Sequence, residues 1–318
     1  MRNVLVTGGA GFIGSECVRQ LTERSTVDRI IVLDKLTYAG NLDRIRSELN
    51  NKKVQFIHAD ILDVSTYSHL INEIDTLINF AAESHVDRSI RDGIPFISTN
   101  VLGTYTLLEA ARQNLNLKIL HVSTDEVYGS VIDDNSIETD SLNPSSPYSA
   151  SKASSDLIAL AQRHTFGQKI TVTRCCNNYG SWQDLEKVVP TFILSLIQGK
   201  KMPIYGSGLN SREWIHVSDH VSALLTIIES ETKETIINIG TSDRMTNLDL
   251  AKIISENFDV STDCIEYVSD RLGHDFRYAL SSKLINNLGW SPKIKFSEGI
   301  ADTISWYRNN YKLMLGEQ

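Results

Sequence analysis

Cysteine is scarce in this chain, and so is any spacing that would make it a metal ligand. The four cysteines are Cys17, Cys175, Cys176 and Cys264, and the eight histidines are scattered without a His-x-x-x-His cluster, so no metal site is expected. Cys175 and Cys176 are adjacent at an apolar-flanked strand end, which points to buried packing. Long apolar runs are absent too, so no membrane partner is expected. The chain opens directly on the strand-like Val4-Leu5-Val6 with no targeting segment, and the cytoplasm is the expected location. Positive charge is in deficit: 31 Lys and Arg against 39 Asp and Glu give a net charge of -8, with no basic stripe. That excludes nucleic acid as a partner. An anionic ligand would have to be held by backbone dipoles and a few placed cations. No internal repeat or low-complexity segment is present, and 318 residues allow one or two domains.

What is present is a sustained alternation of strand-like and helix-like stretches, the pattern of a doubly wound parallel α/β sheet. The first strand, Asn3 to Thr7, runs into Gly8-Gly9-Ala10-Gly11-Phe12-Ile13-Gly14, and a helix follows to about Arg24. Glycines at 8, 11 and 14 provide a tight turn, close backbone approach and free amides at a helix N-terminus, which suits a pyrophosphate. The second strand (29–33) ends in Asp34, 20 residues beyond Gly14, where a carboxylate accepts from ribose hydroxyls and repels a 2′-phosphate. The spacing therefore favours NAD over NADP. A third strand (54–59) ends in Asp60, which fits either the adenine edge or a helix cap. The fourth, Thr76 to Phe80, runs into Ala81-Ala82, small enough for a flat cofactor to lie against the backbone. A helix is expected over about 100–113, with Val101, Tyr105, Leu108 and Ala111 on one face buried in the protein or in a partner subunit.

The chemistry concentrates at the end of the next strand (117–122). Ser123-Thr124-Asp125-Glu126 places a hydroxyl and two adjacent carboxylates at the carboxyl end of a parallel strand, where ligands bind in open α/β sheets. Tyr148 and Lys152 stand four residues apart and share one face of a helix expected to reach about Gln162. Together these side chains form a proton-transfer set. A further strand (170–174) leads to Asn177-Asn178-Tyr179-Gly180. Beyond it the alternation loosens: a helix is expected over about 189–198, and 214–217 with its following helix and the strand 235–239 are expected to return to the first domain.

The glycine turn and Tyr148-x-x-x-Lys152 together resemble the extended short-chain dehydrogenase/reductase family over essentially the whole chain. Asp34 to Asn41, Ala81 to Ser89, Ser123 to Gly129 and Arg174 to Gly180 narrow the resemblance to the sugar-nucleotide 4,6-dehydratases that act on dTDP-glucose. The discriminating feature is Asp125-Glu126, since related epimerases and decarboxylases usually lack one of the two acids. The resemblance implies a Rossmann NAD-binding domain over 1–180, with returns at about 214–245. It implies a smaller mixed α/β sugar-nucleotide domain over 181–213 and 246–318. It also implies a homodimer formed by the helices near 100–113 and 149–162.

The same resemblance implies the site residues. NAD would contact Gly8, Gly11, Phe12, Ile13, Gly14, Asp34, Lys35, Thr37, Asp60, Ile61, Phe80, Ala81, Ala82, Ser84, Thr99, Tyr148, Lys152 and Asn178. The nucleotide sugar would contact Ser84, Thr124, Asn177, Lys187, Val188, Pro203, Tyr205, Arg212, Asn247, Arg271 and His274, the last as an orienting group. Tyr148, its phenol pKa lowered by Lys152 and the nicotinamide charge, would take the proton of the 4-hydroxyl, and Thr124 would hydrogen-bond the 4-oxygen. Glu126 would take the C5 proton and Asp125 would protonate the departing 6-hydroxyl. Neighbouring carboxylates are pushed apart in pKa by repulsion and burial, which suits two opposite roles.

Three positions depart from the family pattern. Ser181, Leu185 and Leu272 stand where proline is usual, so the loops over the nucleotide lose fixed φ values. UDP- or CDP-glucose, or UDP-GlcNAc, therefore stays open as substrate. A 4-epimerase or decarboxylase, and a non-catalytic sensor of NAD or a sugar nucleotide, are the competing functions.

Overall fold

The computed structural model describes residues 1–316; the last two residues of the segment assigned to 246–318 lie outside them. Twelve strands occur among the described residues. In chain order they are β1 (Asn3–Thr7), β2 (Arg29–Asp34), β3 (Val54–His58), β4 (Thr76–Asn79), β5 (Lys118–Thr124) and β6 (Lys169–Cys175). Then come β7 (Asn177–Tyr179), β8 (Met202–Tyr205), β9 (Ser211–His216), β10 (Ile236–Ile239), β11 (Arg244–Thr246) and β12 (Ile265–Val268). Seven of them form one parallel sheet in the order β10-β6-β5-β4-β1-β2-β3.

Alternating residues of these strands enter two separate cores, because successive side chains leave a strand on opposite faces. Val4 and Val6 join Val18, Leu21 and Leu224 on one face, while Leu5 joins Ile31, Leu107 and Leu117 on the other. Both faces are thus covered by helices, as a parallel sheet requires. The chain leaves β1 toward β3 and then returns past β1 to β4. The carboxyl ends of β1 and β4 therefore border the crevice of a topological switch point.

The remaining strands lie outside this sheet. β9 pairs parallel with β7 and antiparallel with β11, and β8 pairs with β12. Residues 214–216 therefore do not return to the large sheet, because the edge beyond β6 is taken by β10. Trp214 enters a third core with Tyr179, Phe192, Leu250, Ile300 and Tyr307, while its neighbour Ile215 packs into the first with Val221 and Leu224. The helix Val217–Glu229 does return, packing against the helix Phe12–Thr22.

The helix expected over 100–113 begins earlier. Pro95 sits in its first turn, Ile94–Phe96, and a π-helical stretch (Ile97–Gly103) carries it into Thr104–Ala111. A Cβ on Gly103 would come 2.6 Å from Ile61 Cδ1, so that side chain would have to shift to admit one. Leu108 and Ala111 are buried as expected, but Tyr105 is 46% exposed.

Candidate active site

The glycine turn is built for close backbone contact. Gly8 has φ +69, and a Cβ on Gly14 would stand 2.2 Å from the Gly8 carbonyl oxygen. Asp34 braces the turn: its carboxylate accepts from the Ala10 amide at 2.9 Å and the Leu36 amide at 2.8 Å. It lies in the wall of a cavity with Lys35, Thr37, Asp60, Ile61, Ala81 and Thr99, at the carboxyl ends of β2, β3 and β4. Asp60 serves locally as well, accepting from the Leu62 amide at 3.0 Å and pairing with Lys35 at 2.7 Å.

That cavity adjoins a second through Gly8, Gly11, Phe80 and Ala82. Phe12, Ile13, Gly14, Ser84, Asn177 and Asn178 line the second cavity, and with them Thr124, Asp125, Glu126, Tyr148 and Lys152. A third cavity shares Glu126, Asn177 and Lys187 with the second, and brings in Val188, Pro203, Tyr205, Arg212, Asn247, Arg271 and His274. Every residue expected at the site thus lies on one of three joined cavities. The cradle of glycines, the Asp34 carboxylate and the small Ala81-Ala82 step fit a dinucleotide without a 2′-phosphate. Among the described residues no cluster of three His, Cys, Asp or Glu side chains could hold a metal ion.

The local fold sets each catalytic side chain. β5 carries Thr124, whose hydroxyl accepts from the Glu126 amide at 3.3 Å and so caps the short turn Asp125–Tyr128. The turn stops at Gly129, φ +73, where a Cβ would fall 2.1 Å from the Asn143 carbonyl oxygen. Tyr148 and Lys152 open the helix Pro147–Phe166, which is fixed by a capping box between Ser146 and Ser149.

The two carboxyls sit in different electrostatic surroundings. Burial pushes Asp125 well above the usual carboxylate range, and Glu126, Cys175 and Glu213 push the same way. Its Oδ2 is buried without a hydrogen-bond partner among the described residues. Burial leaves Glu126 above its ordinary value too, with Lys187, Arg212 and Arg271 opposing the rise and Asp275 adding to it. Both carboxyls are thus held above their ordinary range, Asp125 further than Glu126.

Lys152 is 5% exposed, and desolvation lowers it to about 8 against the opposing charge of Asp156. Its ammonium donates to the Val122 carbonyl at 2.8 Å rather than to the Tyr148 phenol. Burial raises Tyr148 well above its ordinary value, Glu126 and Asp125 add to this, and hydrogen bonding with Thr124 opposes it. The expected lowering of Tyr148 by Lys152 is thus not met in the protein alone. Burial first, and then the two nearby carboxyls, hold the phenol up, while the Lys152 ammonium turns toward a strand carbonyl.

Two cations stand on the sugar side without a carboxylate within 4.0 Å among the described residues, Lys187 and Arg212. Lys187 donates to the Ser84 carbonyl at 2.6 Å, and Arg212 to the Asp275 carbonyl at 2.9 Å. Their unneutralised charge fits an anionic ligand. His274 is held by Asp270 at 2.7 Å and faces the Tyr205 ring edge-on, an orienting position.

The loop with Ser181 and Leu185 is pinned despite lacking proline. Tyr307 donates to the Gln183 carbonyl at 2.5 Å, Gln183 to the Asn178 carbonyl at 2.8 Å, and Arg44 to the Trp182 carbonyl at 3.1 Å. Trp182, at φ +68, packs against Trp306 with centroids 4.9 Å apart and the rings tilted by 53°. Sequence reasoning missed Arg44, Gln183 and His220 as lining residues. It also gave no site role to Cys175 and Cys176, which are buried and line the second cavity as well. Nothing in their local sequence marks them, since they arrive from distant loops or read as core.

Comparison with known proteins agrees with this geometry. Residues 5–303 match the family model described as GDP-mannose 4,6 dehydratase. A dTDP-glucose 4,6-dehydratase of Streptomyces antibioticus is 47% identical over 97% of this chain and 93% of its own. The structure of a dTDP-glucose 4,6-dehydratase from Streptomyces venezuelae, solved with NAD bound, superposes with a TM-score of 0.95 at 42% identity, covering 98% of both chains. A UDP-glucuronic acid 4-epimerase from Bacillus cereus, in complex with NAD, has a TM-score of 0.91 at 26% identity, covering 97% of this chain and all of its own.

Proposed function

Because the chain belongs to the GDP-mannose 4,6 dehydratase family, we propose that it converts dTDP-glucose to dTDP-4-keto-6-deoxyglucose and water. The observation that carries this reading is the Asp125-Glu126 pair, two buried carboxyls with three cations acting on Glu126 and one on Asp125, beside Tyr148 and Lys152. Relatives at 42% and 47% identity over nearly the whole chain are dTDP-glucose 4,6-dehydratases.

The glycine turn, Asp34 and Lys152 would hold NAD, which when bound would supply reversible hydride exchange between C4 and C6. Tyr148 takes the proton of the 4-hydroxyl, and Thr124 hydrogen-bonds the 4-oxygen. Burial and the two carboxyls raise the free phenol, and the positive charge of a bound oxidised cofactor would oppose that rise. Once C4 is a ketone the C5 proton is acidic, and Glu126 removes it. Asp125 gives its proton to the 6-oxygen, which leaves as water. A base at one carbon and an acid at the next require different protonation states at the same pH, which the unequal surroundings of Asp125 and Glu126 favour. Lys187 and Arg212 would hold the sugar pyrophosphate, with Pro203 and Tyr205 beside the base. Residues 1–180 with the 217–239 returns would bind NAD, and the small sheet with its third core would carry the sugar nucleotide.

The assay is incubation with dTDP-glucose in deuterium oxide. The expected product is lighter by one water and carries deuterium at C5. Turnover of UDP-glucose, CDP-glucose or UDP-GlcNAc in its place would move the substrate, and inertness to all four by NAD-loaded protein would sink the dehydratase reading. A product that keeps its oxygen at C6 would favour the epimerase.

The protein acts as a homodimer in this reading. Ile97, Leu102, Tyr105 and Leu157 are exposed on the two helices expected to pair, at 46–58%, an apolar patch that a second copy would cover. Sedimentation should give about twice the 35.6 kDa chain mass; a monomer at micromolar concentration would refute it. Among the described residues no helix is long and apolar enough to cross a membrane. The four cysteines are free, which fits a reducing compartment such as the cytoplasm; a mature protein recovered from cells with its thiols disulfide-bonded would count against it.

A further inference from the structure

Asp87 and Arg88 are consecutive residues of opposite charge at the start of the short helix Val86–Arg91, and no step above uses them. Each is paired across a cavity mouth. Arg88 holds Glu186 through two hydrogen bonds, 2.8 Å from Nε and 2.6 Å from Nη2. The same guanidinium lies 3.8 Å from the centroid of the Tyr38 ring. Asp87 faces Arg271, with N–O separations of 2.8 and 3.2 Å.

The partners come from three different segments. Tyr38 belongs to the loop after β2, whose Lys35, Thr37, Ala39 and Gly40 line the cavity assigned to adenosine. Glu186 precedes Lys187, and both are tied to the loop after β4: His85 Nε2 lies 3.3 Å from the Glu186 carbonyl, and Lys187 donates to Ser84. Arg271 belongs to the loop that carries His274 on the third cavity. The bridge from Tyr38 through Arg88 to Glu186 thus ties the loop after β2, which lines the first cavity, to a segment whose Asp184 and Lys187 line the second.

We propose that Asp87 and Arg88 are positioning residues that clamp the loops bearing Tyr38, Lys187 and Arg271 together over the bound dinucleotide, so that the Arg88–Glu186 pair sets the rate at which it escapes. This rests on the preceding reading only for the identity of the dinucleotide. Arg88 and Glu186 are each about 40% exposed, so the pair is screened and contributes modestly, but its bidentate geometry and the stacked ring place it at the strong end for an exposed contact.

The test loads wild-type protein, Arg88→Gln, Glu186→Gln and the double variant with NAD, dilutes them and follows NAD release with no sugar present. Release from Arg88→Gln should be about fivefold faster, the factor for roughly 1 kcal/mol. Glu186→Gln should match it, and the double variant should be no faster than either single one. Raising salt from about 0.05 to about 0.5 M should speed release from the wild type more than from Arg88→Gln, because screening acts on a pair the variant has already lost. Unchanged release in Arg88→Gln, effects that add in the double variant, or equal salt responses would each overturn the clamp. Failure of the wild type to turn over dTDP-glucose would sink the dehydratase reading and leave this measurement standing.

Discussion

Glu126→Gln should lower kcat on dTDP-glucose by about two to four orders of magnitude, the contribution of a positioned general base, with KM changed only a few-fold. Glutamine keeps the shape and a hydrogen bond but cannot accept the C5 proton. The wild-type carboxyl is buried, and Lys187, Arg212 and Arg271 bias it toward the ionised form. The variant should therefore fold, bind nucleotide sugar and stall after oxidation at C4, with deuterium no longer entering C5 from solvent. Asp125→Asn gives the contrasting signature. Its base is intact, so C5 should still exchange with solvent, while loss of water slows. A Glu126→Gln enzyme retaining more than a tenth of wild-type kcat would remove Glu126 from the role of base.

Asp156→Ala should destabilise the protein by about 3–5 kcal/mol, because it strands a buried guanidinium. Asp156 is fully buried, and Arg174, 2% exposed, donates to it from Nε at 2.9 Å. The network continues from Arg174 to the Tyr128 hydroxyl at 2.8 Å and from there to Asn238 at 2.9 Å, tying β6, the catalytic turn and β10 together. Asp156 lies one helical turn beyond Lys152 and opposes the desolvation that lowers that lysine to about 8. The milder Asp156→Asn should thus also move the alkaline limb of kcat/KM to lower pH. The sign for stability is opposite in sense to that of a gained partner. Since the folded lysine gives up its proton near 8 and the unfolded one near 10.5, this group's contribution rises with pH between those values. Denaturant unfolding, with a midpoint unchanged in Asp156→Ala, would refute the stability prediction.

The sequence was most legible where chemistry depends on neighbours along the chain. The glycine turn, Asp34, the Thr124-Asp125-Glu126 turn and the Tyr148–Lys152 face are each fixed by local geometry, and all line the joined cavities. Boundaries were less legible. Residues 214–216 carry the apolar character of a core strand, yet which core they enter depends on whether β10 has already closed the edge of the large sheet. The pKa order of Tyr148 and Lys152 was not readable either. A four-residue spacing puts both on one helix face but does not say that the ammonium turns to Val122. Arg44, Arg88 and Glu186 illustrate the same limit: their partners are 138 and 98 residues away in the chain. Even the missing prolines misled locally, because Trp306 and Tyr307 from the C-terminal helix hold the loop in their place.

The adjacency of Asp125 and Glu126 bears on which reactions the fold can host. Both acids ride on one four-residue turn whose start is capped by Thr124 and whose end is locked at Gly129. The rest of the oxidising apparatus stands on other elements. On the proposed roles, the two groups that elimination needs beyond oxidation and re-reduction are neighbours on this one turn. The Bacillus cereus epimerase keeps the same backbone at 26% identity, so one fold hosts different reactions through the side chains set on it.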